Sequence, residues 1–177
     1  MEKILFGLKG ALFVVLLVLG HCGYSQTLWQ NAQYGMTVEQ IKGVYPHTVS
    51  VMEGNFAEDG SKELLKIGEV MISYEPFSVS FFFKSNKLTC VKLSPNDEYT
   101  KAQCERVYGI LKRSLTVKYG NSISAGAASG WNLRKEHNTW LSDGVEIFLS
   151  QEFIDNRTIL ELFYRRGVVD TIDMDNL

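Results

Sequence analysis

The chain has 177 residues, 45% of them hydrophobic and 21% charged, with 18 basic and 20 acidic side chains and a net charge of −2. That balance excludes a nucleic-acid backbone as the main partner, because phosphate binding needs a surplus of clustered Lys and Arg. Three histidines and three cysteines, with no HxxxH, HExxH or CxxC spacing among them, give no readable metal site, and no cofactor is expected.

Residues 1–25 read as a secretory leader. Lys3 and Lys9 supply a positive start, and "ALFVVLLVLG" (Ala11 to Gly20) is an apolar run of ten residues. Gly23 and Ser25 then stand three and one before a cut after Ser25. Ten apolar residues fall short of the roughly 20 needed to cross a bilayer. A second reading makes Cys22 a lipidation site: "LGHC" places Leu19 and Gly20 before the cysteine, but His21 stands where that signal wants a small residue. The expected product is an exported single domain, 26–177, periplasmic or secreted. Membrane contact is expected only if Cys22 is lipidated, giving a lipoprotein on the outer membrane, or if the leader is not cleaved. Without Lys3, Lys9 and Glu2 the mature chain keeps 16 basic and 19 acidic residues.

The first element is a helix over roughly Val38 to Val44. Thr37 and Gln40 form a capping box, Met36 and Ile41 stand at the positions of a hydrophobic staple, and Pro46 drives Tyr45 out of helical geometry. Two turns are not stable alone in water, so this helix must lie on a sheet. A strand at "TVSVM", an Asp59-Gly60 turn and the run "ELLKIGEVMISY" follow, with Pro76 expected to break that run.

"SVSFFFKSNKLTCVKLS" reads as a hairpin turning at Ser85-Asn86, which sets Phe83 opposite Leu88 and Phe81 opposite Cys90. In that register Cys90 shares a face with Val79, Phe81, Phe83 and Leu88. A long helix is expected from Ser94, with Pro95 in its first turn, to Gly120 as C-cap. Its stripe carries Cys104, Tyr108, Leu111, Leu115 and Tyr119. If the stripe packs on that face, Cys90 and Cys104 form a disulfide, as an even pair of cysteines in an oxidising compartment suggests; two separate buried thiols are the alternative.

Asn121 to Gly130 reads as a flexible loop. Three strands end the fold: Asn132 to Leu141, Val145 to Phe153 and Thr158 to Tyr164, turning at Asp143-Gly144 and Asp155-Asn156. Trp140, Val145, Ile147, Leu149, Leu160, Leu162 and Tyr164 share one face; Phe148 and Phe163 look the other way. Asp170, Asp173 and Asp175 mark a short acidic tail. The class is α+β, read as two helix-plus-antiparallel-sheet units (α-β-β-β-α-β-β-β) in one two-layer domain.

"YGMTVEQIKGVYP" followed by "SVSFFFKSNKLTCVKL" resembles two kinds of small exported bacterial protein: the SmpA/OmlA type of outer-membrane assembly lipoprotein, and β-lactamase inhibitor protein. The resemblance implies protein binding or envelope scaffolding, and assigns no functional residue.

No catalytic signature stands against that. His47 and His137 are ninety residues apart, and on a strand Glu136 and His137 point to opposite faces. "GNFAEDGSK" has five residues between its glycines and Ser before Lys, so it is not a phosphate loop. The expected function is therefore a non-enzymatic module binding another envelope or extracellular protein. Two alternatives remain: a small periplasmic hydrolase using His47 or His137, and a carrier of an apolar ligand with phenylalanines lining its cavity.

Overall fold

The computed structural model describes residues 26–130, 133–155 and 157–167. The expected leader with Cys22 and the acidic tail lie outside them. A small pair, β1 (Thr27–Trp29) and β2 (Ala32–Gln33), precedes α1 (Val38–Val44); β3 (Val49–Ser50), β4 (Lys62–Ile72), β5 (Glu75–Lys84) and β6 (Lys87–Pro95) follow. Then come α2 (Lys101–Tyr119), β7 (Ser124–Ser129), β8 (Leu133–Ser142), β9 (Val145–Ile154) and β10 (Arg157–Arg166). The chain is α+β, and β3 to β10 form one antiparallel sheet in the order β3-β4-β5-β6-β10-β9-β8-β7. Each helix is followed by four strands where three were expected.

α1 is built as its punctuation demands. The Gln40 amide donates to Thr37 Oγ1 at 3.3 Å, and Gln40 Oε1 accepts from the Thr37 amide at 2.8 Å. Ile41 is wholly buried, and beside it Trp29, Tyr45 and Phe81 form a ring cluster with centroids 5.5–6.4 Å apart. That cluster holds the short helix on β5, where propensity alone could not.

α2 starts later than expected. Ser94 and Pro95 remain in β6, paired with Ser78 and Phe77. The helix is opened instead by a second capping box, Thr100 with Gln103, and closed by Gly120 at φ 82°. The sequence holds two start signals, and sheet pairing claims the first. Replacing Thr100 by alanine is expected to cost about 1 kcal/mol, read as a parallel shift of the urea unfolding curve.

The hairpins at Ser85-Asn86 and Asp143-Gly144 have both central residues at positive φ, the twist that suits a two-residue connection. Ser73 and Tyr74, at φ 51° and 70°, make a third such turn, without the Gly or Asn that usually marks one. The break assigned to Pro76 falls there, and Pro76 lies inside β5. Asn121 to Gly130, expected as a loop, contains β7, whose register runs from Ser124–Thr139 to Ser129–Arg134. Backbone pairing to β8 makes a strand of small residues with little strand preference of their own.

Both helices lie on one face of the sheet. Trp140, Val145, Ile147, Leu149, Leu160, Leu162 and Tyr164 are all buried there, with Leu149 opposite Leu162 and Ile147 opposite Tyr164. A polar seam runs under α2: Asn138 Nδ2 donates to Tyr108 Oη at 2.6 Å, Gln151 Nε2 donates to Glu136 Oε2 at 3.0 Å, and Lys112 pairs with Glu136 at 3.6 Å.

Candidate binding face

A bulge decides what the other face carries. On the β5–β6 ladder Lys84 pairs with Lys87 and Phe83 with Leu88, but Phe82 pairs with Cys90, so Thr89 is an extra residue. A one-residue slip turns every later side chain of β6 over. Cys90 therefore lies with Phe82, while Val91 joins Phe81 in the core. Cys104 lies on the sheet-facing side of α2, its Sγ 4.0 Å from Gln151 Oε1. The two sulfurs are on opposite faces of the sheet and both are free, which corrects the expected disulfide. Burial pushes the Cys90 thiol up to about 12 and Cys104 to about 11, so both stay protonated at neutral pH. Without reductant, a thiol reagent such as Ellman's is expected to count both Cys90 and Cys104 as thiols in unfolded 26–177 and to react only slowly with the folded domain.

The face bearing Cys90 is an open cleft of about 1020 Å³. Alternate residues of four neighbouring strands build its floor. Phe163 of β10 pairs with both Phe148 of β9 and Lys92 of β6, and Phe82 of β5 stands one strand further on. The Phe148 and Phe163 centroids are 6.3 Å apart, and Lys92 Nζ lies 5.9 Å from both the Phe163 and Phe82 rings. His137 of β8 extends the row, stacked on Phe148 at 5.6 Å. Gly126 of β7 lies beneath that imidazole, where a Cβ would collide with it.

Charges frame the rings in pairs. Lys92 Nζ donates to Glu161 Oε1 at 3.2 Å, Lys135 pairs with Glu152 at 3.8 Å, and Arg165 donates to Glu146 Oε1 through Nε at 3.1 Å and Nη2 at 2.7 Å. Burial opposes the charge on Arg165, but those bonds outweigh it and hold the guanidinium above its ordinary pKa. Five basic and five acidic side chains line the cleft, so its net field is small.

The segment 54–61 forms one wall. Asn55 Nδ2 donates to Glu63 Oε2 at 3.1 Å, Ser80 Oγ donates to Glu63 Oε1 at 2.6 Å, and Lys84 Nζ donates to the Asp59 carbonyl at 2.7 Å. Gly54 allows the backbone to approach Glu63 so closely that no Cβ would fit. The stretch set aside as a phosphate loop is thus a rim, with Phe56 and Glu58 exposed on it.

Of the sequence candidates, only His137 and Cys90 reach this face. His47 sits on the exposed turn after α1, and Glu136 points to α2, as alternation predicts. Phe148 and Phe163 face away from the Trp140 side as expected. The ion pairs were missed, although the alternation Glu146-Phe148-Ser150-Glu152 and Glu161-Phe163-Arg165 was there to be read. Among the described residues no group of three or more His, Cys, Asp and Glu is placed to hold a metal ion. Nor is any helix among them long and apolar enough to cross a membrane.

The fold and this face define an α+β protein with a bare, ring-floored sheet. Comparisons with family profiles, with curated proteins and with solved structures each find no match.

Proposed function

We propose that the chain is an exported, non-catalytic module that holds another envelope or extracellular protein against the sheet face its helices leave bare. The observation that carries this reading is the continuous row His137–Phe148–Phe163–Lys92–Phe82, apolar and cationic, framed by internally neutralised charges. A row of rings rimmed by polar groups is the composition of a protein-binding surface, where aromatic anchors supply most of the affinity. Export, and lipidation at Cys22 as its alternative, belong to the same reading. So does a division into two units: both helices open with a Thr-x-x-Gln box, both are followed by four antiparallel strands, and the halves meet at β6–β10.

The hydrolase reading, made on His47 or His137, would need a nucleophile, and Ser150 stands beside His137, pairing with it on one side and with Glu161 on the other. The His137 ring is stacked on Phe148, and no hydrogen bond joins it to Ser150.

A photocrosslinking amino acid at Thr139, on the cleft side, and another at Arg113, on the outer side of α2, test the proposal in cells. One discrete adduct from position 139 and none from 113 supports it. Equal adducts from both positions, or none from either, count against it.

A further inference from the structure

Gln26 is oddly placed for an ordinary glutamine. Its side-chain oxygen is buried and has no hydrogen-bond partner among the described residues. Its amide nitrogen lies over Gly144, where a Cβ would run into it. Its backbone is fixed, the carbonyl accepting from the Tyr34 amide at 2.8 Å. It lines the cleft together with Arg165, Arg166 and Gly167. An unpaired buried acceptor is costly, so this side chain as encoded is poorly matched to its surroundings.

The leader as read from the sequence ends at Ser25, and its removal would leave the α-amine on Gln26. An α-amine has an ordinary pKa of roughly 7.7–8.0, so at neutral pH it would add an uncompensated positive charge to a cleft whose basic and acidic side chains otherwise balance.

We propose that Gln26 is a modification site at which the mature chain closes on itself as an N-terminal lactam. The α-amine nitrogen attacks the side-chain Cδ of the same residue, the Cδ–Nε2 bond breaks, and ammonia leaves with one proton from the amine. No oxidant, reductant or co-reactant is needed. The product is neutral, so the added charge is removed. The acyl group also retracts towards the backbone: its oxygen leaves the buried position where it has no partner, and the amide nitrogen that lies over Gly144 departs as ammonia. This inference rests on the export reading with cleavage after Ser25, and is independent of what the cleft binds.

The test uses the full chain, exported with its own leader. The envelope fraction is dissolved directly in acidic denaturant, and an isotope-labelled peptide beginning Gln-Thr-Leu-Trp is added at lysis to report cyclisation during handling. Mass spectrometry of the N-terminal peptide is expected to show a chain that begins at residue 26 and is lighter by one ammonia in nearly every molecule, while the labelled peptide stays open. A native peptide that starts at residue 26 with a free amine overturns the inference and leaves export standing. Closure no greater than that of the labelled peptide does the same. A start at acylated Cys22, or an uncleaved leader, overturns the inference and the cleavage it rests on together.

Discussion

Replacing Trp140 with alanine is expected to cost about 3–5 kcal/mol, the range for truncating a fully buried aromatic. Trp140 is completely buried near the C-terminal end of β8, opposite Ile147. Its indole Nε1 also donates to the Gly120 carbonyl at 3.0 Å, and Gly120 is the C-cap of α2. The substitution therefore opens a cavity between sheet and helix and strands a carbonyl that the helix end cannot satisfy itself. For a domain of this size the melting temperature should fall by roughly 10 °C, measured by circular dichroism or calorimetry. A Trp140→Phe variant fills most of the volume and loses only the hydrogen bond, so it should sit well above alanine. Equal losses in the two variants would mean that the cap contact, not the buried ring, carries the effect.

The same residue shows what a sequence can disclose. Trp140, Ile147, Leu149, Leu162 and Tyr164 were legible as one buried face because strict alternation and two-residue turns transmit register without error over short hairpins. α1 was legible because its start and stop chemistry lies within a dozen residues. Cys90 was not, because one extra residue at Thr89 reverses the parity of β6 and nothing in "KLTCVKL" announces a bulge. The start of α2 was missed for a related reason: Ser94-Pro95 is a sound helix opening that pairing with Ser78 and Phe77 overrides. β7 was missed because its pairing comes from β8 and not from its own side chains. The cleft needed strand order as well. Phe163 and Lys92 are neighbours only because β10 closes against β6, a long-range pairing that no local pattern specifies.

If the proposed module holds a protein in the cleft, replacing Phe163 with alanine is expected to weaken that binding by at least about 30-fold, the roughly 2 kcal/mol that marks a central aromatic anchor. Phe163 is the ring to choose because it touches both halves of the row. It lies 6.3 Å from Phe148, and the ammonium of Lys92 sits over it. Its removal also leaves Lys92 with one ring instead of two and loosens the Lys92–Glu161 pair at the middle of the floor. The loss should appear in the dissociation rate, since a ring anchor acts after encounter and not during it. Salt separates this from an electrostatic site. With five basic and five acidic side chains lining the cleft, raising ionic strength from about 0.05 to about 0.5 M should change affinity only a few-fold. An Arg113→Ala variant, on the outer side of α2, should change neither rate. Surface plasmon resonance with the partner captured at position 139 measures all three. A Phe163→Ala chain that stays folded and binds as tightly as the parent would move the contact off the ring row, and an affinity that collapses in salt would replace ring packing with charge as the source of binding.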